Sequence, residues 1–74
     1  SPGGLAAFQL LVDAVSRMLA ARGDDRDPFF VAVQVHTWIH GIVDLCGSHP
    51  SMPWPETSEL LDGLSDALRL RSPD

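Results

Sequence analysis

Three histidines, one cysteine and ten acidic residues are the side chains of this 74-residue sequence whose types could do chemistry. His36 and His40 stand four apart on what reads as a helix, a spacing that can set two imidazoles on one metal ion. Asp44 continues the ladder. His36 and Asp44, however, lie about 12 Å apart along a helix axis, so the three cannot ligate one ion together. A third ligand would have to be His49 or come from another chain. No Glu adjoins the first histidine, as it would on a metalloprotease helix, and tetrahedral centres need more ligands than these. The plainer reading is that His36 borders the core or a pocket and His40 hydrogen-bonds across an interface. No metal site is expected.

Cys46 as a nucleophile would want a histidine base and an activating environment. It falls on an apolar stripe and reads as a buried structural thiol. Asp24, Asp25 and Asp27 fall in a turn and read as solvated, so no carboxylate pair suits acid–base work. There is no glycine-rich phosphate loop and no Ser-His-Asp pattern. No catalytic residue and no cofactor is expected, and the chain is not read as an enzyme. The aromatics Phe8, Phe29, Phe30 and Trp38 suit a core. Small-molecule sites are also built as mostly apolar cavities with one or two polar groups, and His36 beside Phe8, Val15 and Phe29 fits that description.

Most of these residues sit on one stretch, Asp27 to Gly47, the longest apolar run in the sequence. Its length, about twenty residues, exceeds that of ordinary strands. Asp27 suits an N-cap, Pro28 the first helical position and Gly47 the C-terminal end. On a helical wheel, Val31, Val35, Trp38, Ile42 and Leu45 form one stripe. Ala32, His36, Ile39, Val43 and Cys46 form a second beside it. Together they span roughly 200°, twice the arc of a one-sided surface helix. Such a helix should be buried on two sides, one of them against another molecule.

The flanking segments read as amphipathic helices that need this stretch as a partner. Leu5, Phe8, Val12, Val15 and Leu19 line one face of the first, and Leu10 lies on its polar side. Gly23 should stop it. Pro50, Pro53 and Pro55 force a loop around Met52 and Trp54. Leu60, Leu61, Leu64, Ala67 and Leu68 then form the apolar face of a third helix, which starts with Pro55 at its first position or Thr57 as its cap. Gly63 and Ala67, four apart, would let another helix approach closely, and Gly41 offers the same on the central helix. The expectation is one all-α domain, a three-helix antiparallel unit with helices at about 4–22, 28–46 and 56–70.

The formal net charge is −5, and all five bases are Arg. An acidic chain with no basic cluster lacks the electrostatic footprint of a nucleic-acid binder, so none should bind to this chain alone. The single cysteine excludes an internal disulfide and fits a reducing compartment. Gln34, two histidines and Asp44 argue against a membrane span in the central stretch, and no signal-peptide pattern opens the chain. Ser1 stands where an initiating Met would, which suggests a cut end.

Asp27-Pro28, then Trp38-Ile39-His40-Gly41 inside a long apolar helix, then Pro53-Trp54-Pro55 before a Leu-rich final helix, resemble the C-terminal region of TetR-type transcriptional regulators. The subgroup is the one named for a Trp-His-Gly (WHG) signature. The resemblance covers about Leu5 to Leu70. It implies a bacterial, cytoplasmic regulator whose last two long helices pair with their counterparts in a four-helix dimer interface. On this chain the interface would hold Trp38, Gly41, Ile42, Leu45, Leu60, Gly63, Leu64 and Ala67. The first helix would be one wall of a pocket for a small apolar effector, lined by Phe8, Val12, Val15, Phe29 and His36. The family's DNA-binding helix-turn-helix is absent from the chain, so it is expected to be a fragment or a stand-alone remnant. Two other classes stay open: a helical interaction module with a different protein partner and no ligand, and a metal-dependent enzyme using His36, His40 and His49.

Overall fold

The structure, a computed structural model, describes residues 2–71. It contains three α-helices, α1 (Pro2–Ala21), α2 (Pro28–Ser48) and α3 (Thr57–Ala67), and no strand among the described residues. The all-helical class and the three helices are as the apolar periodicity predicts.

The helix ends show local chemistry at work. At the end of α1, Gly23 adopts a left-handed φ of 64°. Its N–H reaches Ala20 O at 3.1 Å, and Asp24 N–H reaches Leu19 O at 2.9 Å. This bond pair closes a helix through a left-handed residue, a position that glycine fills without a Cβ penalty. At the start of α2, Asp27 Oδ1 accepts the Phe29 N–H at 3.1 Å, as an N-cap should. Gly47 does not end α2. The helix runs through it to Ser48, and His49 N–H still bonds Leu45 O at 3.0 Å. Pro50 is what stops the helix, because the residue before a proline is pushed out of the α region.

α3 begins after Glu56, so neither start left open by the sequence is the observed one. Glu56 holds the N-cap backbone position without a side-chain capping bond. The helix ends at Ala67 rather than near residue 70. There Arg69 takes a left-handed φ of 54°, and Leu70 N–H closes back onto Ser65 O at 2.8 Å. A left-handed Arg is unusual, and no periodicity argument would find it. Asp24, expected in solvent, is instead gripped by Arg26. The guanidinium Nε and Nη2 donate to both carboxylate oxygens at 2.8 to 3.1 Å, and the Arg26 N–H adds a bond at 3.1 Å. The side-chain hydrogen bond from Arg26 is the main cause that lowers the Asp24 pKa to about 2.

The chain divides into two compact units, Ser1–Gln34 and Val35–Asp74, with the boundary inside α2. The first unit buries Val15 and Leu19 of α1 and Val31 and Ala32 of α2. Phe8 and Phe29 meet there edge to face, ring centroids 5.8 Å apart, an arrangement that the aromatic quadrupole favours. The second unit buries Val35 of α2 and Leu64 of α3. Gly3–Ala21 and Pro28–Ser48 are both long and apolar enough to cross a membrane, so Gln34, the two histidines and Asp44 do not take the central stretch below that threshold; core helices of soluble proteins and signal sequences pass the same test.

Burial on α2 is uneven. Val31, Ala32 and Val35, from both predicted stripes, are buried. Further on, Ile39, Val43 and Leu45, again from both stripes, are exposed. The C-terminal half of α2 therefore presents apolar surface that its own chain leaves uncovered.

Candidate functional site

Trp38, Ile42 and Leu45 of α2 sit one or two turns apart on one face, with Gly41 between them. Opposite this face stands Leu60 of α3, and Trp54 closes the side. With Thr37 and Cys46 these residues enclose a groove of about 250 Å³ within the second unit. Its walls are almost entirely apolar. The volume is slightly below the span of about 300–1,000 Å³ usual for small-ligand sites.

The proline-rich loop positions Trp54. Met52 N–H bonds His49 O at 3.1 Å and Trp54 N–H bonds Met52 O at 2.8 Å. The Trp54 indole Nε1–H then returns to His49 O at 2.7 Å. Its one polar atom is thereby satisfied, and the ring is left as a fixed apolar wall. The sequence places Trp54 in a proline-rich loop. It missed that the loop's hydrogen bonds would fold the ring back onto α2. Thr37 and Cys46, the latter expected as a buried thiol on an apolar stripe, both line the groove. Cys46 is a half-buried free thiol.

The glycines at the site carry no crowding. A Cβ added at Gly41 or at Gly63 would meet nothing within 4 Å. Neither residue is glycine because of a close contact within this chain, although each sits inside a helix, where glycine costs about 1 kcal/mol relative to alanine.

The residues assigned to an interface by resemblance and those assigned to a ligand pocket fall differently. Of the interface set, Trp38, Gly41, Ile42, Leu45 and Leu60 line the groove. Gly63 and Ala67 are exposed on α3, and Leu64 between them is buried. Of the pocket set, Phe8, Val12, Val15 and Phe29 belong to the first unit, whereas His36 belongs to the second. Val15 is buried, Phe8 and Val12 are half-buried, and Phe29 is 57% exposed.

His36 and His40 are both exposed, with ring centroids 4.2 Å apart and planes inclined at 49°. At about 100° per residue, they lie on the side of α2 away from the groove residues. Among the described residues, no group of three or more His, Cys, Asp or Glu side chains is placed to hold a metal ion.

No family model matches the chain, and neither does any curated protein or solved structure. The likeness to TetR-type regulators therefore rests on the residues quoted for it.

Proposed function

We propose that this chain is the dimerisation and effector-sensing region of a TetR-type transcriptional regulator, acting in the cytoplasm, with a second copy of itself as its partner. The observation that carries this reading is the composition of the groove. Five of the eight residues that the resemblance gives to a subunit interface line it. On the same unit, a Cβ added at Gly41 or Gly63 would meet nothing within 4 Å, and Gly63 and Ala67 are exposed small residues. In this reading α1 and α2 run antiparallel, and α2 and α3 pair with their copies as four helices. The exposed half of α2 supplies the apolar area that such pairing removes from water, at about 25 cal/mol per Å². An apolar effector held by Phe8, Val12, Val15 and Phe29, the part of the expected pocket set that lies in the first unit, would shift α1 against the N-terminal part of α2. A ligand moves the equilibrium only as far as its affinities for the two arrangements differ.

The test is the solution mass by light scattering over a range of concentrations. A dimer of twice the 8.0 kDa chain is expected. A folded monomer at every concentration would overturn the self-pairing. It would favour the second reading, a helical interaction module for a different protein. One observation supports that alternative: from Val35 to Leu68 the chain carries five acidic residues and neither Lys nor Arg. A basic amphipathic helix would suit such a surface better than another acidic one.

A further inference from the structure

We propose that His36 and His40 form a two-imidazole chelate for a divalent ion of the copper(II) and nickel(II) class, on the side of α2 away from the groove. The proposal does not depend on the regulator reading. It concerns an exchangeable ion with most of its coordination positions open, not a closed structural centre.

The helix does the organising. An i, i+4 pair projects from one face, one turn apart, so that both rings can reach a single ion without backbone change. Here the two rings are already neighbours, with centroids 4.2 Å apart. Imidazole nitrogens lie about 2.0–2.1 Å from a bound metal. Adding the distance from nitrogen to ring centre puts each centroid roughly 3.2 Å from the ion. At 4.2 Å the two rings are near enough for each to turn a nitrogen onto one ion. Square-planar and tetragonal sites of nitrogen and oxygen ligands suit copper(II) and nickel(II), and tetrahedral ones suit zinc.

The surroundings agree. Both histidines are exposed, so water can fill the remaining positions. Asp44 follows His40 by one further turn on the same face, and no Lys or Arg lies between Asp27 and Leu68 to repel a cation. Cys46, the one thiol, lines the groove on the other side, so no sulfur ligand biases the pair toward softer ions.

The experiment is calorimetric titration of the full chain with copper(II) or nickel(II) salt alone, alongside thermal melts. Saturable binding of one ion per chain is expected, with a melting temperature that rises with metal. His36→Gln and His40→Gln should each weaken binding at least tenfold and abolish the thermal shift, and His49→Gln should do neither. Helical circular dichroism without metal verifies that each variant folds. If His36→Gln loses helix, His40→Gln alone decides. Absence of saturable binding, binding that survives His40→Gln, or loss through His49→Gln would overturn the chelate. Zinc binding at least as tight as that of copper would overturn the assignment to the copper(II) and nickel(II) class.

Discussion

Replacing Gly41 by alanine should have opposite effects on the single chain and on its self-association. Gly41 lies inside α2, where exchange of glycine for alanine adds about 0.8–1.0 kcal/mol of helix stability. In the isolated chain nothing lies within 4 Å of the new Cβ to offset that gain. For a domain of this size a gain of that order raises the melting temperature by about 4–8 °C. In a pair of helices crossing at Gly41, the same methyl would force the backbones apart. Overpacking of one methylene typically costs about 1–3 kcal/mol. A two-fold interface counts it twice, because each copy presents the same patch. Even the lower figure, doubled, weakens association by roughly thirtyfold. The assay is sedimentation equilibrium for the dissociation constant, with dilute-solution melts for the single chain. Gly63→Ala on α3 should behave alike. An unchanged dissociation constant in either variant would remove that glycine from the interface. A lower melting point in dilute solution would refute the open space seen around them.

Other expectations follow from the same structure. Gly23→Ala also meets no atom within 4 Å, yet its φ of 64° is left-handed, so it should destabilise by about 1–2 kcal/mol in urea unfolding. Leu19→Ala and Leu64→Ala, each truncating a buried core leucine, should cost about 2–5 kcal/mol in the same assay. Asp27→Ala should cost about 0.5–2 kcal/mol by leaving the Phe29 N–H without its cap. Arg26 lowers the Asp24 pKa from 3.8 to about 2. The unfolded chain therefore takes up that proton first, and the pair's contribution, complete above about pH 4, is lost as the pH falls toward 2. Asp24→Asn should remove that part of the acid dependence, measured by unfolding between pH 5 and 2.

Much of the fold was legible because its signals are local. Asp27-Pro28 and Gly23 act through their own backbone neighbours, and the sequence places them correctly. The α2 terminus was misjudged because a glycine only permits a helix to end, whereas Pro50 compels it. Arg69 escaped notice because its left-handed φ follows from hydrogen bonds that close α3, not from the residue's own preference. The site was less legible. A helical wheel sums over the whole of α2 and so predicts two buried faces. Within the single chain, Val31, Ala32 and Val35 are buried while Val43 and Leu45 are exposed. Which turns are covered depends on where the neighbouring segments end, and periodicity does not encode that. Thr37 and Trp54 were missed at the groove for a related reason, since their placement depends on the return of the proline loop.

The loop that turns Trp54 onto α2 has an optical consequence. Trp38 and Trp54 are the chain's only two tryptophans, tyrosine is absent, and both indoles line one groove. Any light the protein emits after excitation at the red edge of its ultraviolet band thus originates in that groove. One indole has its N–H committed to a carbonyl and a restricted orientation. The other is 38% exposed. Filling the groove with a helix or a small molecule would strip water from the second and shift its emission to the blue. The molecule therefore carries its own occupancy gauge, with no label to attach and no background from the rest of the chain.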